Sequence, residues 1–108
     1  MLKINNLPPV LRNSGVRENL SKICEANDVV FLAIFGSYVR GEQKKASDID
    51  IAIEYDSHKN KSLLDLVHLE YELRKVFKKK VDLGTLSSLS LYIRDDVKKE
   101  MKVVYEKR

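Results

Sequence analysis

Two kinds of hydrophobic spacing alternate along this chain. In residues 15–27, Val16, Leu20, Ile23 and Cys24 recur at helical spacing, with Arg17, Glu18, Lys22 and Glu25 between them, and predict an amphipathic helix. Residues 29–35, VVFLAIF, form an unbroken apolar run between Asn27-Asp28 and Gly36, which predicts a strand covered on both faces. Ile49, Ile51 and Ile53 then alternate with Asp48, Asp50, Ala52 and Glu54, the two-residue period of a second strand. After the polar stretch DSHKNK, the set Leu63, Leu66, Val67, Leu69, Leu73, Val76 and Phe77 predicts a long helix over 62–77 that opens on Ser62. Residues 81–86 are a third strand candidate. From about Ser88 a further helix carries Leu89, Ile93, Val97 and Met101, and Val103-Val104-Tyr105 close the chain as a short edge strand. Residues 1–13, with Asn5-Asn6 and Pro8-Pro9, resist regular structure and are expected as a lead-in strand or an arm. Helices interleaved with strands over 108 residues predict one domain, residues 1–108, built as an α/β or α+β layer.

Charge and composition narrow the picture only slightly. The excess of basic residues, 20 − 16 = +4, is scattered apart from the run Lys78, Lys79, Lys80, and reads as a solvated surface with some preference for anionic ligands. The lone cysteine, Cys24, excludes an internal disulfide and falls on the apolar side of its helix, so it is expected in the core. His58 and His68 lack a cysteine or second histidine at zinc-like spacing. No segment has the length of apolar sequence that spans a bilayer, and the chain is expected to be soluble and cytoplasmic.

The candidate chemistry lies between the first two strands and on the third. Gly36 and Ser37 stand where the first strand hands over to a turn, glycine permitting close backbone approach and serine offering a hydroxyl beside unpaired amides, an arrangement suited to phosphate. Arg40 follows about one helical turn later, within reach of the same anion. On the second strand Asp48 and Asp50 project the same way, roughly 6 to 7 Å apart, a separation that suits a divalent cation held between them. Aspartate is a poor strand former and like charges repel, so the pair is costly unless a cation sits there. Asp82, between Val81 and Leu83, would join them if the third strand lies beside the second, and three converging carboxylates would suit Mg²⁺ and a triphosphate.

Taken together, GSYVRG followed by SDIDIAIE resembles the glycine-serine and aspartate-x-aspartate signature of the DNA polymerase beta-like nucleotidyltransferase superfamily, and VDLGTL matches its third aspartate. Within that superfamily the chain is similar to the minimal nucleotidyltransferases, the antitoxin half of pairs with HEPN-domain toxins. The resemblance implies the polymerase beta-like nucleotidyltransferase fold, α+β (α/β layered) with a small mixed sheet packed against helices, with Gly36, Ser37 and Arg40 binding nucleotide and Asp48, Asp50 and Asp82 catalytic and binding Mg²⁺. It also implies ATP as substrate and transfer of AMP to a hydroxyl, expected to be a tyrosine, of a HEPN toxin.

No length is left for a domain that grips a nucleic acid or drug, so the acceptor is expected to bring its own recognition surface, as a partner protein does. Neither a nucleic-acid substrate nor a membrane is expected, while homo- or hetero-oligomerisation stays open. The competing reading is an antitoxin that neutralises by binding alone. An intact set of three costly carboxylates favours the enzyme.

Overall fold

The computed structural model describes residues 1–89 and 91–107. Its centre is a four-stranded mixed sheet in the order β3-β2-β1-β4, formed by β1 (Val29–Phe35), β2 (Ile49–Tyr55), β3 (Val81–Thr85) and β4 (Lys102–Glu106). β1 runs antiparallel to both β2 and β4, whereas β2 and β3 are parallel. The parallel pair is joined by α3 (Leu63–Phe77), the crossover that parallel strands require. The architecture is α+β, with the mixed sheet expected from the sequence.

α1 (Ser14–Ala26) and α3 pack against each other and cover one face of the sheet. Asn13 opens α1 by accepting the Val16 N–H at 2.9 Å, and the helix buries Val16, Leu20 and Cys24. α3 begins in a reciprocal capping box between Ser62 and Asp65 and buries Leu69, Leu73, Val76 and Phe77. These side chains meet Ile49, Ile51 and Ile53, the inward set of β2, each no more than 1% exposed. By alternation, Asp50 and Ala52 project from the opposite face.

The structure departs from the expected elements in four places. Residues 1–13 are neither strand nor loose arm: two short 3₁₀ turns, Ile4–Asn6 and Pro9–Leu11, drive Leu7 and Leu11 into the core, and Leu2 bridges to Tyr105. Pro8 and Pro9 fit because a 3₁₀ turn's start needs no amide donor. In α3, Leu63 and Val67 are 74% and 53% exposed, because one helix can turn only a single stripe toward the sheet and the stripe runs through Leu69, Leu73, Val76 and Phe77. β3 ends at Thr85, and Leu86–Ser88 form a 3₁₀ turn. α4 (Leu91–Glu100) starts after Ser88 and excludes Met101, and residue 90, within the expected helix, lies outside the described residues. No helix among the described residues is long and apolar enough to cross a membrane.

Candidate active site

β1 ends at Phe35, opposite Asp50 of β2, and Gly36 leads from it into the one-turn helix α2 (Ser37–Arg40). Gly36 has φ 77° and ψ −152°, a region open essentially to glycine alone. It also has a neighbour that forbids a side chain, since a Cβ there would stand 2.1 Å from Oδ2 of Asp50. The glycine therefore brings the backbone of the β1–α2 turn directly against the carboxylate of β2. Gly36 is buried, Ser37 half-buried and Arg40 exposed. The Gly36 carbonyl accepts the Val39 and Arg40 amides at 3.0 and 3.1 Å, which fixes the turn.

The aspartates come from β3 and from β2 with the residue before it. In the parallel ladder Asp50 faces Asp82, the register being Ile49 to Val81, Asp50 to Asp82 and Ile51 to Leu83. Asp48 lies one residue before β2 and contributes negative charge at Asp50, as does Asp82. Burial, then Asp82, then Asp48 push the Asp50 carboxyl above its ordinary range, while Arg40 opposes them. Burial disfavours the charged form and the two neighbouring carboxylates add to it, whereas a cation bound beside Asp50 would act in the opposite sense.

The donor set fits a hard divalent cation in a particular way. Among the described residues no three His, Cys, Asp or Glu side chains gather tightly enough to hold a metal ion by themselves. Two carboxylates in register, with a third nearby, instead match a cation that takes one or two protein oxygens and completes its shell with water and phosphate oxygens, as Mg²⁺ does.

One residue of this site was not legible in the sequence. Glu100, at the end of α4, accepts the Gly36 amide at 2.9 Å through Oε2 and Arg40 Nη1 at 2.5 Å through Oε1. Burial works against the ionised form, but the Gly36 amide and Arg40 outweigh it and hold the Glu100 carboxyl below its usual range. Glu100 is 64 positions from Gly36 and belongs to no local pattern, so only the packing of α4 reveals it. Arg40 is shared further with Glu42, Nε to Oε1 at 2.6 Å. His58 and His68 lie outside this constellation, His68 pairing with Glu72 on α3.

A parallel strand pair that aligns two aspartates, set against a glycine-serine turn, is the arrangement that the sequence signature led us to expect of a nucleotidyltransferase. The chain belongs to the nucleotidyltransferase domain family, whose model matches residues 16–104. Protein adenylyltransferase MntA of Thermococcus cleftensis is 42% identical to it over 74 residues, covering 68% of this chain and 71% of that protein. The fold is shared with a chain of a toxin-antitoxin structure solved with AMP-PNP, at TM-score 0.69 and 24% identity over 99% of this chain and 76% of the other. It is shared also with a chain from the complex of the tri-AMPylated Shewanella oneidensis HEPN toxin with its MNT antitoxin, at TM-score 0.61 and 23% identity, covering 82% and 68%.

Proposed function

We propose that this chain is an antitoxin that transfers AMP from ATP, with Mg²⁺, to a tyrosine hydroxyl of a partner HEPN toxin and thereby neutralises it. The observation that carries this reading is the register of Asp50 with Asp82 beside the Gly36 turn. Kinship with a protein adenylyltransferase and the shared fold of toxin-antitoxin chains support the choice of acceptor.

In this reading Gly36 and Ser37 hold the triphosphate by backbone amide and hydroxyl, and Arg40 offsets its charge. The acceptor oxygen attacks the α-phosphorus, the bond from phosphorus to the bridging oxygen breaks, and pyrophosphate leaves with the electron pair. Asp82, exposed on the edge strand β3, is reachable by an incoming protein side chain and takes the hydroxyl proton. Mg²⁺, when bound, would be held by one or two of the carboxylates of Asp48, Asp50 and Asp82 and would neutralise charge that develops on the phosphate oxygens. Ser37→Ala with Arg40→Ala should weaken ATP binding by about 2 to 4 kcal/mol, the scale of lost charge-assisted hydrogen bonds. Calorimetric titration of ATP checks this, and parent-like affinity in the double variant would move the cradle elsewhere.

A further inference from the structure

The Glu100 carboxylate bridges two of the three groups assigned to the triphosphate. One of its oxygens takes the only N–H of Gly36, and the other takes Arg40 Nη1, while Glu42 takes Arg40 Nε. An amide donates a single hydrogen, so no phosphate oxygen uses the Gly36 donor in full while Glu100 holds it. Glu100 also adds negative charge facing Asp50, and an approaching polyphosphate meets that charge too.

The element that carries Glu100 is lightly held. Of residues 92–100 only Val97 is buried, and Tyr92 and Ile93 are 93% and 49% exposed. Two residues beyond Glu100 the chain is fixed again, since Lys102 pairs with Ile34 of β1. A helix with so little buried surface, tethered at its end by a strand, shifts at small cost. A side-chain carboxylate carries one negative charge and a polyphosphate several, so the polyphosphate is the stronger ligand for Arg40 and the amide.

We propose that Glu100 is an internal anion that closes the phosphate cradle of the nucleotide-free protein, and that a polyphosphate binds by displacing it as α4 shifts. The inference rests on the reading that Gly36 and Arg40 hold phosphate. Its consequence is an apparent affinity below the intrinsic affinity of the open cradle, by the fraction of molecules in which Glu100 has left.

The test is calorimetric titration of inorganic tripolyphosphate onto the parent, Glu100→Gln and Glu42→Gln. Glu100→Gln keeps the size and removes the charge, and should bind roughly tenfold more tightly or better, the scale of one charge-assisted contact that no longer competes. Glu42→Gln removes the same charge from Arg40 without releasing Gly36, so its gain should be the smaller. Equal gains, no gain at Glu100→Gln, or no binding by any of the three would overturn the proposal. In the unaltered protein, tripolyphosphate should shift the Gly36 amide and the Glu100 carboxylate NMR signals together, and a Gly36 shift with Glu100 unmoved would equally overturn it. Tighter binding in Glu100→Gln without AMP transfer by the parent would keep this inference and remove the transferase reading. Intact transfer with unchanged affinity would do the reverse.

Discussion

Gly36 is the residue on which the geometry of the site turns, because its backbone conformation and its contact with Asp50 each exclude a side chain. Gly36→Ala should therefore lose about 1 to 3 kcal/mol from the strained backbone alone, read as a lower urea midpoint, and should lose ATP binding with it. Unchanged stability would mean that the turn relaxes freely. Asp50 carries the opposite expectation. Its carboxyl is raised above the ordinary 3.8 by burial and by Asp82 and Asp48, so the fold disfavours the ionised form. A raised folded pKa contributes stability at low pH that is lost as pH climbs from 3.8 through the raised value. The metal-free parent should show that decline in its melting temperature, and Asp50→Asn should lack it and melt higher at neutral pH while transferring no AMP. An Asp50→Asn protein less stable than the parent at neutral pH would contradict the like-charge account. Cys24 supplies an independent check on burial. Its thiol, fully buried, is pushed up to about 12, chiefly by desolvation. Alkylation of the native protein at pH 8 should then proceed no faster than unfolding exposes the thiol, and rapid labelling would show that α1 opens locally.

At the scale of elements, the two ends of α3 make opposite demands. Its start is well capped, with Ser62 and Asp65 each bonding the other's backbone, so Ser62→Ala should cost about 1 kcal/mol. Its end is closed by the Lys78 amide donating to the Arg74 carbonyl at 2.8 Å, but Lys78 then sits in the left-handed region at φ 58° and ψ 35°, where glycine is at ease. Lys78→Gly should raise stability by roughly 0.5 to 1 kcal/mol, measured by thermal melts, and a loss would show that the lysine side chain has a compensating contact. The serine start of α3 was readable because capping is local chemistry. The bounds of β1, 29–35, were readable because the apolar run stops at Gly36. The exposed Leu63 and Val67 were not, since a sequence shows which side chains are apolar but not which angular stripe the sheet covers. The burial of Leu7 and Leu11 was hidden for a related reason: 3₁₀ turns this short have no period to detect.

At the scale of the molecule, the site is assembled from parts that only the strand order brings together. The β1–α2 turn supplies Gly36, Ser37 and Arg40, β2 and the residue before it supply Asp50 and Asp48, β3 supplies Asp82, and α4 supplies Glu100. The sequence pattern placed the first two groups because the signature spacing is short, and placed Asp82 only on the condition that the third strand lies beside the second, which the β2–β3 ladder meets. Glu100 stayed hidden because its partners lie 60 and 64 positions away. The same assembly leaves Asp82 on an edge strand, open to a second protein, and that placement separates catalysis from simple binding. If the proposed reaction holds, Asp82→Asn keeps the shape of the surface and removes the proposed proton acceptor, so transfer should slow by about 10² to 10⁴ while association with a HEPN toxin persists. The most direct measurement is the intact mass of the HEPN partner after incubation with Mg²⁺, ATP and either the parent chain or Asp82→Asn, with complex formation followed in parallel. The account predicts a toxin that gains AMP with the parent, gains little or none in the same time with Asp82→Asn, and binds both proteins alike; a toxin neutralised by both with its mass unchanged would contradict it.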